Sequence, residues 1–288
     1  MIACLSSSAF GRLYRKIDCT AADISGLRKS IYGRRVSIPL GLHNLEEIVL
    51  AQPASPQAIA ARIRMLLSIS SPRVLLKGCG QMISDDLRAF ASGGEPPGPF
   101  ARGAIQNAVN TGISELLESD GEELNDDFTA ALHEIRRERE AFAAGLTEFI
   151  VDCAARIPAA SAAAGFEEYC RANAYAAFGK LTARAGIGAG LPRGAEDLTV
   201  APRSVRMWTG TALSLAWAQA LERDEPREED LNEAMHAVTG AGASADLFVT
   251  AGDREARWIS RIPVDGFQVL SLKDFLARTV QASGDGSE

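Results

Sequence analysis

Two short apolar runs near opposite ends of the chain, Ile2-Ala-Cys-Leu5 and Asp246-Leu-Phe-Val-Thr250, constrain the fold most. Each has the length and composition of a buried strand, and each is followed by a helical period. Strand and helix alternate again at Phe267-Gln-Val-Leu270 and Leu272 to Val280. Alternation of this kind predicts an α/β fold, a parallel sheet with helices on both faces. Such sheets keep their sites beyond the carboxyl ends of the strands. Near the chain's end those positions carry acids: Glu233 in the helix before the strand, and Asp253 just past Thr250.

Between the two ends the period is helical. Thr20 with Asp23 reads as a capping box opening a helix to Tyr32, along which Ile24, Leu27 and Ile31 share a face. Arg35-Val-Ser-Ile-Pro39 reads as a second strand and Gly41 to Leu50 as a helix. Ser55-Pro56 starts the next helix, and Val74-Leu-Leu76 is a strand or a helix start. The run Ser92-Gly-Gly-Glu-Pro-Pro-Gly-Pro99 is the strongest punctuation in the chain. Long helices are predicted over Asn125 to Cys153, Pro158 to Arg184 and Ser204 to Leu221, with a loop at Gly186 to Pro192. The expected organisation is an α/β core of residues 1–92 and 226–288, an all-helical insertion over 93–225, and a polar, disordered tail over 282–288.

Composition narrows the class. With 47% hydrophobic and 23% charged residues the chain is an ordinary globular protein. No apolar run approaches the roughly 20 residues of a membrane span. Apolar residues precede basic ones at the start, the reverse of a secretory signal, so the chain reads as cytoplasmic with no membrane partner. Its 5 cysteines are scattered without a CxxC, which suggests neither a disulfide framework nor a zinc site. A net charge of −7 argues against a chain basic all over, but leaves room for a local basic groove.

Four motifs taken together resemble the PIN-domain family of metal-dependent nucleases, which includes bacterial toxin ribonucleases. The first is Leu5-Ser6-Ser7-Ser8-Ala9-Phe10 after the first strand. The second is Leu45-Glu46-Glu47-Ile48 within a helix, and the third is Asn232-Glu233-Ala234-Met235-His236-Ala237. The fourth, Asp246-Leu-Phe-Val-Thr250-Ala-Gly-Asp253, is one residue longer than the family's usual pattern. The closing run from Phe267 to Leu276 is similar to the family's last strand and helix.

The resemblance implies a PIN-like parallel sheet flanked by helices, with a large helical insertion. It also implies Mg²⁺- or Mn²⁺-dependent hydrolysis of RNA. Glu47, Glu233 and Asp253 would hold the metal, with Glu46 and Asp230 as alternatives. Thr250, Ser8 and Asn232 would support them. Ser6 stands where the family places its first Asp, and a hydroxyl is a poor Mg²⁺ ligand beside a carboxylate. The implied reading is therefore a ribonuclease impaired or silenced at Ser6. The rival is a non-catalytic scaffold that binds an antitoxin-like partner or a second copy through the insertion.

Each residue also has a plainer reading. Asp253 is a favoured turn former. Glu46 and Glu47 suit a solvated face, and Glu233 closes an acidic run that would favour a helix N-terminus. His236 suits a core or supporting role. Arg34 and Arg35 are candidate RNA contacts, as are Arg136, Arg137 and Arg139 and the pair Arg203 and Arg206. Glu134, Glu138 and Glu140 are interleaved with the middle group, which equally predicts pairing within one helix.

Overall fold

A computed structural model describes residues 1–50, 55–70, 75–122, 124–158, 165–184, 186 and 201–284. The chain opens with β1 (Ala3–Leu5), α1 (Ser7–Arg15) and α2 (Ala21–Tyr32). Next come β2 (Leu40–Gly41), α3 (Leu42–Leu50), α4 (Pro56–Ser68), β3 (Leu75–Leu76) and α5 (Cys79–Ser92). The middle is helical: α6 (Ala104–Glu118), α7 (Asp126–Ala154), α8 (Phe166–Arg184) and α9 (Arg203–Trp217), the last running into a π-helical turn at Ala218–Glu222. The close is α10 (Glu228–Gly242), β4 (Leu247–Thr250), α11 (Asp253–Ser260), β5 (Gln268–Ser271) and α12 (Leu272–Gly284).

The sheet is small and its ladders are parallel. One part has the order β1-β4-β5 and the other pairs β2 with β3. A bridge between Ile2 and Ser37 lays the approach to β2 along the free side of β1. The chain therefore winds outward from β1 in both directions, first through β2 and β3, later through β4 and β5. The strand order reverses at β1, and its carboxyl end is the switch point where such sheets open a crevice.

Period-two alternation divides the interior. Ala3 and Leu5 of β1, with Leu247 and Val249 of β4, face a core built with α1, α2, α3, α4, α6, the first half of α7 and α12. Cys4 and Phe248 face the opposite core, built with α5, the second half of α7, α8, α9 and α10. Residues 93–225 thus contribute to both cores. Helix α10 lies close on β1 because Gly240 meets it: a Cβ there would stand 3.0 Å from the Cys4 Cβ.

Several elements differ from expectation. The second strand falls at Leu40–Gly41 rather than Arg35–Pro39, since Pro39 has no N–H to give a ladder and only Ser37 bridges to its neighbour. Gly41 consequently belongs to the strand, and the helix starts at Leu42. Helix α12 continues to Gly284, so residues 282–284 are helical instead of a disordered tail, and 285–288 lie outside the described residues. The predicted loop from Gly186 to Pro192 also lies outside them, apart from Gly186. No helix among the described residues is long and apolar enough to cross a membrane.

Candidate functional site

The four motifs meet at the switch point. Ser6 follows β1, and its N–H donates to Val249 O at 3.0 Å, which carries the β1–β4 ladder one residue further. Ser6 caps α1: its Oγ accepts from the Ala9 N–H at 3.2 Å. The capped turn projects Ser7 and Ser8 towards α10. There Ser8 donates to Glu233 Oε1 in a short hydrogen bond, so its only proton is committed. Ser6 Oγ, 2.9 Å from Ser8 Oγ, is then the donor of that pair. The Ala251 N–H approaches Ser8 Oγ at 3.4 Å from the β4 side.

Glu233 is 4% exposed, and its Oε2 is buried without a hydrogen bond. Burial pushes its pKa up to about 6, against the opposing pull of His236 and of the Ser8, Thr250 and Ser6 hydroxyls. Thr250 is fully buried at the end of β4, where its Oγ1 accepts from the Gly252 N–H at 3.3 Å.

A second limb comes from α3. Burial alone would raise Glu47, but the imidazole of His236, whose Nε2 lies 3.3 Å from Glu47 Oε1, outweighs it with help from Ser7 and Arg139. The Glu47 pKa falls to about 2. Burial likewise opposes a charged His236, yet Glu47 and then Glu233 raise it above its ordinary value. Asn44 holds this limb in register. Its Oδ1 accepts from the Gly41 N–H at 3.1 Å, and its Nδ2 donates to Leu5 O at 3.3 Å and Ser7 Oγ at 3.1 Å. Ser7 Oγ is 2.9 Å from the same His236 Nε2 that meets Glu47. Both contacts use one ring nitrogen, while Nδ1 faces the Asn44 amide nitrogen at 3.5 Å. A nucleophile–base–acid relay needs the acid on the other nitrogen, so Ser7, His236 and Glu47 do not form one.

A cleft of about 480 Å³ opens beside Ser7 and Glu47. Tyr14, Arg15, Arg62, Arg136, Arg139 and Asn232 line it, with Phe10, Met65 and Leu66 as its apolar floor. Arg139 donates to Asn232 Oδ1 at 2.9 Å, so Asn232 belongs to the cleft wall.

The chain matches no family model, no curated protein and no solved structure. The resemblance to PIN domains therefore rests on the motif residues alone.

Ser6, Ser8, Glu47, Glu233 and Thr250 lie together, and the other candidates lie elsewhere. Asp253 is exposed in the first turn of α11, outside the hydrogen-bonded network. Glu46 points away into α7, where it takes Arg136 at 2.8 Å and Arg139 at 2.7 Å. Arg136 and Arg139 thus pair across helices rather than within α7, and Glu138 turns instead to the start of α5, accepting from the Gln81 N–H at 3.2 Å. Asp230 bonds Arg254, the Trp258 Nε1–H at 3.2 Å and the Arg227 N–H at 2.7 Å, and so caps α10 away from the site. Arg34 and Arg35 sit at the opposite end of β1: the Met1 amino group donates to Arg35 O at 3.3 Å. Arg203 and Arg206 hold surface turns through Ala245 O and Asp265.

The residues present do not fit the Mg²⁺ or Mn²⁺ that the resemblance implies. Such an ion is held by one or two carboxylates that can turn an oxygen to it, with water and substrate phosphate completing its shell. Here Glu47 is engaged by His236 and Glu233 by Ser8, Asp253 lies outside the network, and burial disfavours the charged form of Glu233. Among the described residues no group of three or more His, Cys, Asp or Glu is placed to hold a metal ion.

Sequence reasoning missed Asn44, Ser7 and the cleft residues Tyr14, Arg15 and Arg62. No local signal marked them: His43, Asn44 and Glu46 are polar positions on α3 that read as solvated, and the structure buries all three.

Proposed function

We propose that this chain is a PIN-like domain whose ribonuclease centre is silenced, and that it acts by gripping RNA without metal-dependent hydrolysis. The observation that carries the reading is the closed network at the switch point. Ser6 takes the first acid's place as a helix cap, Glu233 is tied to Ser8, and Glu47 is neutralised by His236. Each of these groups is engaged through at least one oxygen, and Glu233 Oε2 is the buried acid oxygen left without a hydrogen bond. The adjoining cleft keeps the other half of a nuclease site, arginines beside the motif residues, and so supports a binding role.

The test is cleavage of a mixed RNA pool with Mn²⁺, run beside binding of the same pool in chelator, for this chain and for Ser6→Asp. Binding without cleavage by the parent chain, together with cleavage by the Asp variant, is the expected pattern. Mn²⁺-dependent cutting by the parent chain would overturn silencing. Failure of either protein to bind RNA would overturn the reading as a whole.

A further inference from the structure

The cleft has features that the switch-point network does not use. Tyr14, near the end of α1, is 41% exposed. The Arg62 guanidinium from α4 lies 5.8 Å from the centre of the Tyr14 ring. Arg62 donates to Ile48 O at 3.3 Å and Arg15 to Gly11 O at 3.2 Å. Each contact occupies one of a guanidinium's five N–H groups, and neither arginine forms an ion pair among the described residues. Behind them Arg136 and Arg139 share the single carboxylate of Glu46, which leaves the wall net positive. Two acids also line the cleft. Glu47 is matched by His236, and Glu228 belongs to the first turn of α10.

An exposed ring braced by one cation, with another beside it, is a stacking platform next to a phosphate clamp. Base stacking tolerates any base, and an arginine pair takes backbone phosphate irrespective of sequence. The cleft's volume suits a few nucleotide units rather than a duplex, whose bases present no free face. Resting on the RNA-gripping reading above, we infer that Tyr14, Arg15 and Arg62 form a sequence-tolerant subsite for single-stranded RNA. One base stacks on Tyr14, and the adjoining phosphate sits between Arg15 and Arg62.

The experiment is fluorescence anisotropy of labelled single-stranded oligoribonucleotides of mixed and homopolymeric sequence, and of a duplex, titrated with the full chain in chelator at several salt concentrations. Tyr14→Ala is expected to weaken single-strand binding by about ten-fold or more, while Tyr14→Phe, which keeps the stacking face, stays within about two-fold. Arg62→Gln is expected to weaken binding for all sequences alike and to lower the salt slope by about 1. Single strands are expected to bind more tightly than the duplex. Binding indifferent to Tyr14→Ala and Arg62→Gln overturns the subsite and leaves the RNA reading standing. Absence of RNA binding overturns both. A preference for duplex also overturns the subsite.

Discussion

Glu233 is the residue on which the site's chemistry turns. Its folded pKa of about 6 lies above the ordinary glutamate value of 4.5, because it is buried. The protonated form is the one the fold favours. Its contribution to stability is fully present below pH 4.5 and is lost as pH rises through 6, about 2 kcal/mol in all. Glu233→Gln keeps an acceptor for Ser8 and removes that loss. Urea unfolding at pH 4.5 and 7.5 should show the variant gaining about 2 kcal/mol on the parent between the two. An unchanged difference would contradict the burial argument. His43 acts in the opposite sense. Burial holds its pKa down to about 3, and its Nε2 accepts from the Cys79 N–H at 3.1 Å. Its contribution is present above pH 6.5 and is lost as pH falls towards 3. His43→Gln should therefore flatten the acid limb of the same stability curve. If that limb is unaltered, His43 is not held neutral in the fold.

At the scale of elements, helix crossings and caps decide the geometry. Helices α6 and α7 touch at Gly112, where a Cβ would lie 2.2 Å from the Phe128 Cβ, and Phe128 is fully buried. Ala in place of Gly gains up to about 1 kcal/mol in a helix interior, while overpacking a core costs about 1–3 kcal/mol. The clash wins. Gly112→Ala is expected to lower stability in thermal or urea unfolding, and a gain would mean that the helices separate freely. A second link joins α3 to α7 through buried Glu46 and its two arginines. Removing one partner of a buried ion pair costs about 3–5 kcal/mol. Glu46→Ala should fall at or below the lower end of that range, because Arg136, 29% exposed, can turn to water. A neutral effect in urea unfolding would show that the link carries no stability.

Elements whose signals are local were readable in the sequence. Thr20 with Asp23 forms the predicted capping box, Asn125 caps α7 through the Phe128 N–H, and Ser55 with Pro56 opens α4. What could not be read depends on contacts between distant positions. Glu46 and Glu47 are adjacent on α3, yet one faces arginines 90 and 93 residues away and the other faces His236, 189 residues away. Helical period places both acids and cannot say which partner each finds. Arg34 and Arg35 look basic and available, but their strand direction carries them to the end of the sheet away from the site.

In the whole molecule, the parallel order and the alternation of Ala3, Cys4 and Leu5 between two cores fix one crevice, at the carboxyl end of β1. The end runs of the sequence were enough to predict a parallel α/β sheet and a helical middle. The distribution of the middle helices over both cores was not readable, since one amphipathic period fits either face. Nor was the inner state of the site. Ser6, Glu47 and Glu233 read as a degenerate acidic cluster, and only their placement reveals that each is engaged by a neighbour, Glu47 by His236 and Glu233 by Ser8. The most direct measurement of that claim is electron paramagnetic resonance of Mn²⁺ titrated against this chain and against Ser6→Asp. The account predicts no saturable micromolar binding by the parent chain and a gain in the Asp variant. Stoichiometric micromolar binding by the parent chain, abolished by Glu233→Gln, would contradict it.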